Sequence, residues 1–216
     1  MKNSISILLA SLLLLTCASV PANAADKDEC ATSAIIDLSD MSANSNISVS
    51  EPMTFTEMVR HYAKNAGITY EEALNMFPST PATQSARDIN YRVFSAVLVT
   101  VTEEYKPRLD FYCETAEGGH FQNIVSIYSV QLVRTYNGIT KQFSGSVETW
   151  LRSSQSIEYL VNGDFLNLGT TTVTSHTDSK VGLDELLSVS YGVDVSVSSN
   201  YYAPCYEHGW KKIGAG

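Results

Sequence analysis

The stretch LSVSYGVDVSVS, residues 187–198, indicates the fold class of this chain. Leucine, tyrosine and valine occupy every second position, and serine, glycine and aspartate fill the positions between them. Successive side chains of a β-strand point to opposite faces of a sheet, so this alternation buries one face and leaves the other in water. It predicts a half-buried strand of an antiparallel sheet.

The chain on either side of this stretch repeats the strand signal. Alternating or apolar runs occur at 91–101, 109–113, 124–136, 143–151, 157–161, 170–174 and 201–206. Asn137-Gly138 and Asn162-Gly163 each follow such a run, and Asn-Gly is the dipeptide most typical of a type I′ hairpin turn. About seven or eight antiparallel strands with tight turns predict a β-sandwich or a barrel-like domain over residues 87–216.

A helical segment is predicted before the β domain, at residues 53–82. Apolar side chains recur at three- and four-residue spacing, which places them on one helix face: Phe55, Met58, Val59 and Tyr62. Gly67 can end this helix, and Thr69 with Glu72 matches a capping box that begins a second one. Short helices are unstable alone, so we expect this N-terminal helical pair to pack against the β domain.

The N-terminus has the three parts of a secretory signal peptide. Lys2 precedes an apolar run at 5–15, and Ala22 and Ala24 occupy the positions that signal peptidase reads. We therefore expect cleavage after Ala24, a secreted extracellular protein, and a flexible polar tail at 25–52. The apolar run is shorter than the ~20 residues of a membrane span. A retained membrane anchor and a lipid anchor on Cys17 are the alternatives.

The composition argues against some classes of partner. The chain has 23 acidic and 14 basic side chains and a net charge of −9. Nucleic acids and anionic membrane surfaces are bound by clustered lysine and arginine, so we expect neither as a partner. After residue 24, no segment is long and apolar enough to predict a membrane span. The expected partner is an unidentified extracellular ligand or protein.

The sequence contains four cysteines, of which Cys17 lies in the predicted signal peptide. An exported chain can form disulfides. We predict a bridge between Cys113 and Cys205, because both lie in predicted strands, whereas Cys30 lies in the polar tail. A bridge that uses Cys30 is the alternative. No Cys-x-x-Cys spacing supports a metal-binding or nucleophilic thiol.

No catalytic motif is recognisable, and the sequence predicts no catalytic residue, no cofactor and no metal ion. The histidines lack metal-ligand spacing such as His-x-His; they are His61, His120, His176 and His208. A zinc site that joins two of them to a carboxylate is the alternative. A carboxylate pair could also serve a hydrolase. No pattern selects a pair from the available acids, which include Glu114, Glu117, Glu148, Asp164, Asp178 and Asp184.

Aromatic residues give the strongest indication of a binding surface. Phe143, Val147 and Leu151 share one face of the predicted strand, and Trp150 is out of phase with them. Trp150 is therefore predicted on the opposite face. The candidate ligand-binding aromatics are Trp150, Tyr201, Tyr202, Tyr206 and Trp210. Exposed aromatics beside acids and amides are typical of surfaces that bind sugars or peptides. The alternative is ordinary core filling, since tyrosine is a common strand residue.

Four segments carry a resemblance to a known group: YKPRLDFYC at 105–113, KQFSG at 141–145, VNGDF at 161–165 and GTTT at 169–172. Over residues 53–206 the chain resembles small secreted proteins of unknown function from Gram-positive gut bacteria. The resemblance implies an exported β-rich domain behind a helical segment, and it assigns no catalytic residue. Our hypothesis is a secreted, non-enzymatic binding or interaction module. The alternatives are a secreted hydrolase and a β-barrel carrier of an apolar ligand.

Overall fold

The fold consists mainly of strands, with short helices ahead of most of them. The computed structural model describes residues 34–37, 47–77, 89–118, 121–194 and 200–212. The helices in these ranges are α1 (Phe55–Ala66) and α2 (Tyr70–Asn75). The strands are β1 (Ala34–Asp37), β2 (Ile47–Val49), β3 (Ile89–Val97), β4 (Arg108–Gly118), β5 (Phe121–Val133), β6 (Thr135–Tyr136), β7 (Ile139–Thr140), β8 (Gln142–Ser153), β9 (Ser156–Leu166), β10 (Thr170–His176), β11 (Leu186–Asp194) and β12 (Tyr201–Lys212).

The strands form two main sheets. Within the described residues, one sheet has six strands in the order β1-β12-β9-β8-β11-β10, and the other has four in the order β2-β3-β4-β5. Strands β6 and β7 form a separate hairpin. Strand β1 runs parallel to β12, and the other paired strands of the described chain are antiparallel. The predicted mainly β, antiparallel class is confirmed.

A hydrophobic core lies between the two sheets. The four-stranded sheet contributes Phe94, Leu109, Phe111 and Ile127, and the six-stranded sheet contributes Phe143, Val147, Leu151 and Phe165. On β11 the alternation predicted the burial correctly, because Leu187, Val189 and Tyr191 enter the core. The sheets pack as a sandwich, and in the described part of the chain they do not close into a barrel.

The helix pair packs on the other face of the four-stranded sheet. Side chains of both layers form a second core cluster: Met58, Val59, Tyr62, Ala63, Ala73, Phe77, Tyr91, Val93, Tyr112 and Tyr128. Capping boxes begin both helices, at Thr54 and at Thr69. Gly67 ends α1 with a left-handed φ of 69°. The predicted helix pair, its end at Gly67 and the box at Thr69 are confirmed, and the box at Thr54 is additional.

One of the two predicted Asn-Gly turns is confirmed and the other is wrong. Asn137-Gly138 joins β6 to β7 with φ values of 48° and 78°, as a type I′ turn requires. Asn162-Gly163 instead lies inside β9, where Gly163 faces Gly145 of β8. A Cβ atom on Gly163 would lie 2.3 Å from the carbonyl oxygen of Ser144. Glycine is therefore required here by the close approach of two strands.

Two parts of the predicted polar tail belong to the sheets. Strand β1 aligns Ala34 with Gly209, and β2 aligns Val49 with Phe94. The expectation of a flexible tail is therefore wrong for these two segments. Strands of three or four residues are too short to show a two-residue period, so the sequence carried no signal for them. The signal peptide predicted at 1–24 lies outside the described residues.

Candidate binding face

The outer face of the six-stranded sheet carries two tryptophans in one row across the strands. Trp150 of β8 and Trp210 of β12 are both register partners of Glu158 on β9, and Leu186 of β11 is the register partner of Trp150. We call Trp210, Glu158, Trp150 and Leu186 the tryptophan row. Neighbouring strands are ~4.8 Å apart, so the backbones of the two tryptophans are separated by ~10 Å.

The carboxylate of Glu158 lies between the two tryptophans and accepts two hydrogen bonds. Nε of Arg152 donates to its Oε2, and Nε2 of His208 donates to its Oε1 at 2.6 Å. Because a carboxylate only accepts, His208 carries a proton on Nε2. Burial raises the pKa of Glu158, but the hydrogen bonds and charges of Arg152 and His208 outweigh burial and lower it overall. The row therefore holds a negative charge at neutral pH.

Charged and aromatic neighbours support the indole rings of the row. The guanidinium carbon of Arg152 lies 5.2 Å from the centroid of the Trp150 ring, and Nη1 of Arg152 also pairs with Asp184 at 3.4 Å. The rings of His208 and Trp210 are 6.5 Å apart. These contacts restrict the side-chain rotation of Trp150 and Trp210, which lowers the entropy that a ligand would have to overcome.

Hydrogen-bonding side chains continue the outer face beyond the row. The next outward positions pair His208 with Leu160 and Leu160 with Glu148. The positions after those pair Tyr206 with Asn162 and Asn162 with Ser146. The face therefore offers carboxylate, amide and hydroxyl groups beside the indoles.

The structure brings together three of the five candidate aromatics. Trp150 and Trp210 share the row, and Tyr206, which is 59% exposed, lies ~13 Å along β12 from Trp210. Tyr202 packs instead on the core, with its ring 5.7 Å from that of Tyr105. Tyr201 is 56% exposed but pairs with Leu166, which lies ~26 Å along β9 from Glu158.

Comparison of the chain with protein-family models, curated proteins and solved structures finds no match. Neither described helix is long and apolar enough to cross a membrane.

The described histidines lie apart from one another. His61 is on α1, His176 pairs with Asp178 at 3.3 Å at the end of β10, and His208 belongs to the binding face. His120 lies outside the described residues. Among the described residues, no group of three or more His, Cys, Asp or Glu side chains could hold a metal ion.

The acids considered for a hydrolase occupy separate environments. Glu114 is buried and accepts from Nζ of Lys180 at 2.8 Å. Glu148 and Asp164 are on the outer face of the six-stranded sheet. Asp178 pairs with a histidine, and Asp184 pairs with Arg152. The side chain of Glu117 lies outside the described part of the chain.

This structure does not contain the predicted Cys113–Cys205 disulfide. Cys113 lies on the four-stranded sheet and Cys205 on the six-stranded sheet; both are buried, and within the described residues no disulfide joins them. Packed sheets are ~10 Å apart, whereas a disulfide needs Cα atoms within ~4.4–6.8 Å. Burial, with a smaller contribution from Glu207, raises the pKa of Cys205 to about 12, so its thiol is protonated at neutral pH. Cys30 lies outside the described residues.

Sequence reasoning missed a buried polar network between α1 and the four-stranded sheet. Asp110 is fully buried and accepts from Nδ2 of Asn65 at 3.0 Å, from Oγ of Ser95 at 2.6 Å and from Nε of Arg108 at 2.9 Å. Tyr112 donates to Oε1 of Gln131 at 2.8 Å. A signal was available, since Arg108, Asp110, Tyr112 and Glu114 alternate with Leu109, Phe111 and Cys113. That pattern marks a strand with two different covered faces.

Proposed function

We propose that this protein is a secreted, non-enzymatic binding module that holds an extracellular polysaccharide on the tryptophan row. The observation that carries the proposal is the row itself. Trp150 and Trp210 flank an ionised, hydrogen-bonded Glu158 on one outward face. The sequence predicts Trp150, Trp210 and Tyr206 as ligand-binding aromatics, which supports the same surface.

The chemistry of the face suits sugars. An indole ring presents a broad apolar plane at low conformational cost, and the C–H faces of a sugar ring can lie flat against it. The hydroxyl groups of the sugar then need donors and acceptors close by. Glu148 supplies an acceptor at the next outward position, and Asn162 and Ser146 supply donors and acceptors one outward position further along the strands.

The shape of the face favours a polymer over a single small molecule. Small-molecule sites are concave and bury most of the ligand surface, whereas this face is the open side of a sheet. The tryptophans lie two strands apart, ~10 Å, so a chain that crosses the strands contacts both. The net charge of −9 disfavours nucleic acid and favours a neutral or weakly charged chain.

The proposal predicts that soluble polysaccharides retard the protein during native electrophoresis. Protein recovered from culture medium, with Ala25 as the expected first residue, is run through gels that contain β-glucan, xylan, mannan or starch. At least one polysaccharide should retard the wild type, and Trp150→Ala and Trp210→Ala should each weaken binding ~10-fold or more.

Tyr201→Ala is the matched control, because it removes an exposed aromatic from the same sheet far from the row. Its retardation should equal that of the wild type. Circular dichroism establishes that all three variants fold. The proposal fails if none of the polysaccharides binds, or if the tryptophan variants bind as well as Tyr201→Ala.

A further inference from the structure

A groove with a volume of about 340 Å³ lies between the helix pair, β5 and the edge strand β10. Tyr62 and Asn65 of α1, Gln131 and Leu132 of β5, and Val173 of β10 are among the residues that line it. This volume lies within the ~300–1,000 Å³ range of small-molecule sites. No residue of the tryptophan row lines the groove.

Arg134 lines the groove and brings a positive charge that no carboxylate of the described residues pairs with. Its Nη1 donates to the carbonyl oxygen of Lys141 at 3.0 Å and to Oε1 of Gln142 at 2.6 Å, and both acceptors are neutral. Among the described residues, Arg134 forms no salt bridge, and its Nε and Nη2 make no hydrogen bond.

The surroundings of Arg134 favour an anion. Burial lowers the pKa of the Arg134 guanidinium. The phenols of Tyr105 and Tyr191 act in the opposite direction, but their own pKa values are raised, so both are uncharged at neutral pH. A partly buried cation that lacks a partner is unfavourable, and a carboxylate that binds both free donor positions relieves this. The net negative charge of the chain repels anions in general. The guanidinium of Arg134 attracts an anion locally and so favours anion binding in the groove.

Apolar and polar side chains share the rest of the groove wall. Ile68 and Met76 from the helix pair, Leu132 from β5 and Val173 from β10 line it together with Tyr62. Thr135, Thr140 and Thr171 also line the groove. Thr171 already donates its hydroxyl to Oε1 of Gln142, whereas Thr135 and Thr140 share one hydrogen bond, so one hydroxyl of that pair can donate to a ligand. Such a combination of apolar walls and a few polar groups is typical of small-molecule sites.

We propose that this groove binds a small organic acid with an apolar body. The carboxylate pairs with the free donors of Arg134, and the apolar body lies against Tyr62, Ile68 and Met76. The apolar body is either an alkyl chain or an aromatic ring, and the walls accommodate both. This site is independent of the polysaccharide face, so either proposal can fail alone.

The first test compares acids with neutral analogues of the same shape. Calorimetric titration of the purified chain uses octanoate against 1-octanol, and 3-phenylpropionate against 3-phenyl-1-propanol. We expect at least one acid to bind, and its alcohol to bind at least ~10-fold more weakly, as loss of a charge-assisted hydrogen bond implies. The acid that binds more tightly shows whether the apolar body is an alkyl chain or an aromatic ring.

The second test uses variants of the groove. Arg134→Gln should weaken binding of the acid ~10-fold or more, whereas Arg60→Gln should leave it unchanged. Arg60 is an exposed residue of α1 that stacks on Tyr70, so this control makes the same charge change outside the groove. Val173→Trp keeps Arg134 but fills the groove, and it should abolish binding of the acid even if Arg134→Gln fails to fold.

Any one of the following results would overturn the assignment. The alcohols could bind as tightly as the acids, Arg134→Gln could bind as tightly as Arg60→Gln, or neither acid could bind the wild type at millimolar concentration. Binding by a folded Val173→Trp variant equal to that of the wild type would place the acid elsewhere on the molecule.

Discussion

A pair of facing glycines determines how Phe143 packs in the core. A Cβ atom on Gly163 would lie 2.6 Å from Cζ of Phe143, and one on Gly145 would lie 2.2 Å from the carbonyl oxygen of Asn162. The ring of Phe143 uses the space above Gly163 to contact Phe165, at a centroid distance of 5.0 Å. Larger residues at either glycine would push β8 and β9 apart.

We expect Gly163→Ala to destabilise the protein by about 1–3 kcal/mol or more, because the new methyl group overlaps backbone atoms that cannot rotate away. Gly182→Ala is the matched control, since its nearest contact would be Oε2 of Glu185 at 3.7 Å. That change should alter stability by no more than about 0.5 kcal/mol. Urea unfolding measures both variants, and equal midpoints would contradict the packing role of Gly163.

For single residues, the sequence predicts the turn at Gly138 correctly and the turn at Gly163 wrongly. Asn137-Gly138 and Asn162-Gly163 are the same dipeptide, yet only the first adopts the left-handed conformation of a turn. The second is controlled by Phe143 and Gly145 on the neighbouring strand, which are distant in sequence. A local pattern such as Asn-Gly shows that the backbone can adopt a left-handed conformation. It does not show which strand will pair with the segment that contains it.

Among the elements, α1 depends most clearly on its N-cap residue, Thr54. Oγ1 of Thr54 accepts from the amide of Glu57 at 3.3 Å, and the Glu57 carboxylate accepts from the amide of Thr54 at 2.8 Å. The carboxylate hydrogen bonds lower the pKa of Glu57. Because α1 carries Tyr62 and Asn65, this cap also fixes one wall of the groove.

Thr54→Ala should lower the free energy of unfolding by about 1 kcal/mol, because it leaves an amide at the helix N-terminus without its acceptor. Thr54→Ser keeps the hydroxyl and should remain within a few tenths of 1 kcal/mol of the wild type. Chemical denaturation followed by circular dichroism at 222 nm compares them. If the alanine and serine variants unfold at the same midpoint, the cap does not stabilise α1.

Long elements were predictable from the sequence and short ones were not. The alternation of β8 and β11, the apolar face of α1 and the box at Thr69 each contain enough residues to show a period or a motif. Strands β1 and β2 have four and three residues, and their positions depend on backbone pairing with β12 and β3. Trp150 was placed on the correct face because it lies in a long alternating strand.

In the whole molecule, buried carboxylates join elements that are distant in sequence. Asp110 binds Asn65 and thereby links the four-stranded sheet to α1. Glu207 of β12 accepts from the amide of Val99 at 2.9 Å and from the hydroxyl of Tyr159 at 3.0 Å. Glu114 of β4 accepts from Lys180, in the segment between β10 and β11. Composition does not reveal such partners, because each pair forms only in the folded chain.

The segment that carries Lys180 connects the two sheets. Val181 and Ile127 of β5 exchange two backbone hydrogen bonds of 2.9 Å, and the amide of Asp184 donates to the carbonyl of Leu151 on β8 at 2.8 Å. Lys180 adds an ion pair to Glu114 at 2.8 Å, next to the ring of Tyr128. The relative position of the sheets therefore depends on a few contacts of this one segment as well as on the shared core.

We expect Lys180→Met to destabilise the whole fold by about 1–3 kcal/mol, because it leaves the Glu114 carboxylate buried without a cation. The loss stays below that of a fully buried pair, since Ser126 and Tyr128 still donate to Glu114 and the Lys180 side chain is 32% exposed. Glu114→Gln removes the charge, so the double variant should be more stable than Lys180→Met alone. Urea unfolding of the wild type, both single variants and the double variant yields the coupling energy. Additive losses from the two changes would show that Lys180 and Glu114 act separately, and that the segment is held by Val181 and the core alone.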